Sequence, residues 1–167
     1  MVEPDSKPVA DLIMSQLSRL ACAAAASAGL LGALPAHAAL GGAYASIATD
    51  RAHLAARLQS TSAATHTLHT LTLGNGGMVR EFSRPDGTVF AVTWRAPGRP
   101  DLRQLLGDHF QTLQSETARH AVRGRRLPMM VNRSDFMVVS GGHSGAFWGV
   151  AYLPQAAPPG FSPSELK

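Results

Sequence analysis

The chain has 167 residues, with 15 Lys and Arg against 11 Asp and Glu, a formal charge of +4 and one cysteine. That length suits one domain with a modest core. A single thiol excludes a disulfide framework within the chain.

The first informative stretch is Leu20 to Ala38, an alanine-rich apolar run behind Arg19 that closes on Ala36-His37-Ala38. Small residues at the first and third positions before a cut are what a signal peptidase accepts, so residues 1–38 read as a signal helix cleaved after Ala38. Leu20 to Leu34 spans roughly 22 Å as a helix, short of the roughly 30 Å hydrocarbon core, and Pro35 then ends it. No stable transmembrane span is expected after processing. Glu3, Asp5 and Asp11 make the opening acidic, and Met14 would give a more ordinary start. The expected location is periplasmic or secreted. Cleavage leaves 129 of the 167 residues, with 13 basic and 8 acidic side chains, a charge of +5. Cys22 leaves with the signal, so the mature domain holds together without a thiol.

Residues 39–153 read as one α+β domain. Between Ser46 and Gln59, Ile47, Leu54 and Leu58 suggest a short N-terminal helix with a thin apolar face, capped by Ser46 or Thr49. Thr65 to Leu73 is a β-branched run that enters a turn at Gly74-Asn75-Gly76-Gly77. Met78 to Ser83 is a second strand, Arg84-Pro85-Asp86-Gly87 a turn, and Thr88 to Trp94 a third strand, together a meander. After Pro97 the period changes. Leu102, Leu105, Leu106, Phe110 and Leu113 predict one main helix from Pro100 to Arg119, with Gly107 inside it at a cost of about 1 kcal/mol relative to Ala. Asp135 to Ser140 and Ala146 to Leu153 are two further strands around Gly141-Gly142-His143-Ser144-Gly145.

The fold expected is an antiparallel sheet of about five strands with the main helix on one face. Phe90, Val92 and Trp94, with Phe147, Gly149, Ala151 and Leu153, form the expected core. Trp148, Val150 and Tyr152 share the opposite face of the last strand, which is then either covered or a contact surface. Residues 154–167 carry four prolines and read as an irregular strap or a frayed end.

No spacing identifies a reaction. His66 and His69, three apart on a strand, point to opposite faces and cannot chelate one ion. His109 and His120 lie about 16 Å apart along a helix, so no metal site and no cofactor are expected. Arg80 and Glu81 are neighbours on a strand, so one faces inward and needs a partner, expected as an ion pair. His143, in a glycine-flanked turn, is the best catalytic candidate, with Glu81 or Asp101 as its carboxylate; Asp101 also has a sufficient structural role in a first helical turn. Arg123, Arg125 and Arg126 form the one dense basic cluster, and with Trp148 and Tyr152 they are the candidate binding residues. Outside an inner membrane the partner would be an envelope protein or an anionic envelope component, and not nucleic acid.

Several short motifs carry a resemblance. Ala39-Leu40-Gly41-Gly42, Val79-Arg80-Glu81-Phe82, Asp86 to Trp94, Pro100 to Gly107, and Ser140-Gly141-Gly142-His143 followed by Phe147 and Gly149 are similar, in order and spacing, to a bacterial exported family, domain of unknown function 2844. The resemblance covers nearly all of the mature chain and departs at Ala96, where a Gly is expected before Pro97. It implies export and a single fold and brings no activity. Two function classes follow: a non-catalytic binding or accessory module of the envelope, or a small periplasmic hydrolase-like enzyme using His143.

Overall fold

A computed structural model describes residues 40–119 and 128–167. The signal segment, His120 and the Arg123, Arg125 and Arg126 cluster lie outside the described residues. Helix α1 (Tyr44–His53) leads into four strands, β1 (Arg57–Ser62), β2 (Thr67–Thr72), β3 (Met78–Ser83) and β4 (Val89–Ala96), which pair in succession as an antiparallel meander. Two short helices, α2 (Leu102–Leu106) and α3 (His109–Arg119), carry the chain away from the sheet centre. A second meander, β5 (Met129–Asn132), β6 (Met137–His143) and β7 (Ala146–Tyr152), then returns to pair β7 with β4. Among the described residues the sheet has seven strands in the order β1-β2-β3-β4-β7-β6-β5.

The α+β class, the antiparallel sheet and the first meander agree with the sequence reading, and the count of about five strands does not. The two additional strands are both at edges. β1 is Arg-Leu-Gln-Ser-Thr-Ser, with Leu58 half-buried and the rest exposed, so it carries no hydrophobic alternation to recognise. β5 is only four residues long, Met-Met-Val-Asn, with Val131 alone buried, too short to show an alternation.

The main helix also differs. It breaks at Gly107, whose φ of +50° and ψ of −126° no helix tolerates. The glycine ends α2 instead of interrupting a longer helix, and the leucine spacing survives because α2 and α3 bury the same side: Leu102, Leu105, Leu106 and Leu113 all enter the core. In α1 neither Ser46 nor Thr49 is the cap. Ala43 occupies that position with no side-chain hydrogen bond, while Ser46 is inside the helix and buried.

The helices cover one sheet face, where Ile47, Leu71, Val79, Val92, Trp94, Phe136, Val138 and Ala151 pack with the helix leucines. The expected triplet of Phe90, Val92 and Trp94 is split. Phe82 pairs with Ala91 but Ser83 with Val89, so Phe90 is an extra residue that places two successive side chains on the outer face. Phe90 therefore joins Phe82 and Ala91 in a second, smaller core. Residues 154–167 form its lid, built on two short helical turns, Pro154–Ala156 and Pro163–Leu166. Phe161 meets Phe90 edge-on at 4.7 Å and Tyr152 at 6.1 Å. Arg80 donates to the Lys167 main-chain oxygen at 2.8 Å. The tail is a strap, and Phe161→Ala should cost about 3 kcal/mol in chemical denaturation, since it empties the centre of that aromatic cluster. A loss under about 1 kcal/mol would mean that the strap is only laid on the surface.

Candidate functional site

Two places gather chemistry, and they lie on opposite faces of the sheet. The first is a row across the helix-covered face. Register aligns Ser60 on β1 with His69 on β2, and His69 with Glu81 on β3. Alternation brings His69 and Leu71 to the same face as Val79 and Glu81, and sends Arg80 to the other. The His69 ring is held between two hydroxyls, Nδ1 to Ser60 Oγ at 2.8 Å and Nε2 to Ser83 Oγ at 2.9 Å, with Tyr44 edge-on at 5.4 Å. Burial lowers its pKa, so the ring is neutral and satisfied at both nitrogens.

Glu81 is 1% exposed. The inward member of the Arg80 and Glu81 pair is thus the acid, as one of the two had to be, but the expected ion pair is absent. Its neighbour is a second carboxyl, Asp50, on the buried side of α1 one turn beyond Ile47. Neither Glu81 oxygen has a hydrogen bond of good geometry. Burial first, and then the Asp50 charge, push Glu81 up to about 9. Burial also raises Asp50, opposed by the Gln104 side chain, whose Nε2 donates to Asp50 Oδ1 at 2.6 Å. The cluster therefore keeps a proton at neutral pH and fastens α1 and α2 to the sheet. Asp50 was not singled out in the sequence, and His69 was weighed there only as half of a metal pair with His66. The available signal was position: Asp50 sits three residues after Ile47, on the inner side of a helix that has few other apolar residues there.

The structure does not bring His143 to this row. Glu81 lies in register with Val92, Ala151 and Val138, and His143 is five residues beyond Val138 on β6. At about 3.4 Å per residue and about 4.8 Å per strand, with three strand spacings between β3 and β6, the separation is on the order of 20 Å. His143 is exposed, its Nδ1 2.9 Å from the Ser144 carbonyl oxygen. Asp101 is engaged elsewhere. It caps α2, accepting from the Arg103 and Gln104 amides at 3.0 and 3.1 Å, with His53 at 3.9 Å.

His66 and His69 do point to opposite faces. His66 packs against Phe82, Phe90 and Phe161 under the strap, beside Glu165 at 3.8 Å. His109 stacks on Phe136 at 4.8 Å. Among the described residues no three His, Cys, Asp or Glu gather as metal ligands.

The second place is the outer face, which the strap covers only in part. Tyr152 lies under Phe161, while Trp148 is 44% exposed in the same strand. This face, expected to be either covered or a contact surface, is covered at Tyr152 and open at Trp148. Trp148 pairs with Arg95 on β4 and with Gly141 on β6. Met78 continues the row beyond Arg95. A cleft of about 580 Å³ lies along these strands, lined by Met78, Arg80, Arg95, Trp148, Val150 and Lys167 among others, and by no Asp or Glu side chain. That volume is in the range of ligand pockets. A second hollow, of about 600 Å³, adjoins it around Pro97, Gly145 and Phe147 and shares Arg95 and Trp148. Arg95 was not singled out in the sequence, though alternation from buried Trp94 already places it on the Trp148 side.

The family model described as Protein of unknown function (DUF2844) matches residues 36–166. The chain belongs to this family. The matched span includes both sheet faces and nearly all of the strap, so the open cleft is part of the family's domain. No curated protein and no solved structure matches the chain. No helix among the described residues is long and apolar enough to cross a membrane.

Proposed function

We propose that this DUF2844 protein is exported and acts, without catalysing a reaction, as a binding module of the cell envelope, taking an anionic envelope component on the open half of its outer sheet face. The observation that carries the reading is the cleft along Met78, Arg95, Trp148 and Val150, where an exposed indole stands beside cationic side chains with no Asp or Glu among the lining residues. Buried titratable groups support the non-catalytic part: Glu81, Asp50 and His69 are each 1% exposed, closed off from any substrate by α1. Export rests on the apolar run ending at Ala36-His37-Ala38. A cut after Ala38 would keep Leu40 in the mature chain, where it is 3% exposed and tied through its amide to the Leu105 carbonyl at 3.1 Å.

The protein should co-sediment with a washed bacterial envelope preparation and release as salt rises toward 0.5 M, because exposed charge contacts are screened. Trp148→Ala combined with Arg95→Gln should lower the bound fraction at least tenfold with an unchanged melting temperature. Equal sedimentation of the double variant would overturn the assignment to this face. For export, the mass of the protein recovered from a periplasmic extract should correspond to a chain beginning at Ala39; a chain retaining residues 1–38 there would contradict the cleavage.

A further inference from the structure

We infer that the ligand of the open face is an acidic oligosaccharide, a chain of sugar rings bearing carboxylate groups, laid across the Arg95 and Trp148 pair. This rests on the binding-module reading and names its ligand class.

The argument begins with Gly141. A Cβ built there would meet Trp148 Cζ2 at 3.1 Å and Cε2 at 3.4 Å, so the indole lies across the neighbouring strand over bare backbone. A side chain at 141 would lift it. Glycine lets the ring settle on the sheet and present its other side to solvent, which is how a 44%-exposed tryptophan becomes a platform and not a protruding knob. The C–H face of a pyranose ring matches such a platform in size and in its weakly positive hydrogens, which meet the negative face of the indole.

Charge then selects among ring-shaped ligands. Arg95 is the direct cross-strand partner of Trp148, is exposed, and makes no ion pair among the described residues. Lys167 lines the same cleft. Arg80 is already committed, donating through Nε to Thr93 Oγ1 at 3.1 Å and through its terminal nitrogen to Lys167, and so holds the strap end in place. A free guanidinium beside an aromatic platform suits a planar carboxylate, which it can bind in a two-pronged fashion. A neutral sugar would leave Arg95 with nothing to do.

Extent decides the number of rings. The two hollows lie on either side of the Arg95 and Trp148 ridge and share both residues. A single ring would occupy the ridge alone, whereas a chain of several rings runs from one hollow into the other. Both hollows rest on sheet and turn surface, which suits an extended polar chain better than a lipid tail needing apolar enclosure.

The test uses the purified protein and hexagalacturonate, followed by tryptophan fluorescence and titration calorimetry. Trp148 is the exposed indole and Trp94 is 2% exposed, so a saturable change in emission reports the platform. Hexagalacturonate should bind saturably, trigalacturonate at least fivefold more weakly, and maltohexaose at least tenfold more weakly. Trp148→Ala and Arg95→Gln should each weaken hexagalacturonate at least tenfold, while Arg51→Gln, an equal loss of charge on exposed α1, should change it less than twofold. No saturable binding, or binding unaffected by Trp148→Ala, overturns the inference. Equal affinity for hexaglutamate would assign the face to acidic peptides instead, and binding to phosphatidylglycerol vesicles without hexagalacturonate binding would assign it to lipid headgroups. If the envelope sedimentation still depends on Arg95 and Trp148 in either case, only the ligand class fails; if that dependence is absent too, the binding-module reading fails with it.

Discussion

Replacing Glu81 with Gln should make the protein more stable at pH 8 to 9 and abolish a fall in stability that the unaltered protein shows on going from pH 7 to pH 9. In the native state the pKa of Glu81 is raised, by burial and by Asp50, to about 9, against about 4.5 unfolded. Between those values the folded chain holds a proton that the unfolded chain has released. Stability therefore falls as pH rises through this window, with a limiting slope of about 1.4 kcal/mol per pH unit for one proton. His69 and His109 work in the opposite sense. Burial lowers both, so they cost stability only below the ordinary histidine value of 6.5 and are silent above pH 7. Asp50 is also raised and has the same sign as Glu81.

From pH 7 to pH 9 the loss should approach about 2 kcal/mol, or on the order of 10 °C in melting temperature. Gln fills the same volume and stays neutral throughout, so calorimetric melts of Glu81→Gln should be level over that window. Asp50→Asn removes the repulsion but not the burial, and should move the upper end of the fall to lower pH without removing it. A melting temperature of the unaltered protein that is flat from pH 7 to pH 9 would mean the buried pair holds no proton.

This buried pair also shows where sequence and structure part. Strand alternation alone requires that Arg80 and Glu81 face opposite ways, and the usual expectation for a buried acid is a cation. The cation faces outward, where the Thr93 hydroxyl and the strap's main-chain oxygen satisfy it. What met the acid was decided by α1, whose contact with the sheet is tertiary and leaves no periodic trace. The meander of β2, β3 and β4 was legible because its turns contain Gly, Asn, Pro and Asp at positions that enforce them. β1 was hidden by its polarity, and the position of Phe90 by a bulge that no pattern of period two can express. For the outer face, alternation on β7 already separated Trp148, Val150 and Tyr152 from the core. Which of them stays exposed depends on how far the strap reaches, and the prolines of that strap fix its irregularity but not its path. The basic cluster at Arg123, Arg125 and Arg126 was the conspicuous charge feature and lies outside the described residues; among the described residues the cross-strand partner of the aromatic platform is Arg95.

Gly149→Ala should be among the most damaging single-methyl changes in the molecule. Gly149 on β7 lies between Trp94 on β4 and Ser140 on β6. Its Cβ would stand 2.2 Å from Trp94 Cζ2, 2.5 Å from Cε2 and 2.8 Å from the Val139 carbonyl oxygen. Trp94 is 2% exposed in the middle of the core and has no room to swing aside, and the carbonyl belongs to the sheet ladder. Overpacking of this kind costs about 3 kcal/mol or more. Gly98→Ala is the matched control, since nothing lies within 4 Å of its Cβ, and it should change stability by less than about 1 kcal/mol. The cause can be isolated by a double-mutant cycle. Trp94→Leu alone leaves a cavity, but combined with Gly149→Ala the added methyl enters that space, and the pair should be less destabilised than the sum of the two by at least about 1 kcal/mol in urea unfolding. Additive losses would place the strain elsewhere than against the indole. The same contact bears on binding, because Trp94 and Gly149 are the register pair next to Arg95 and Trp148. A glycine that lets one tryptophan lie against the seam inside the core thereby sets the alignment of the two strands that present the other tryptophan, with its arginine, to the outside.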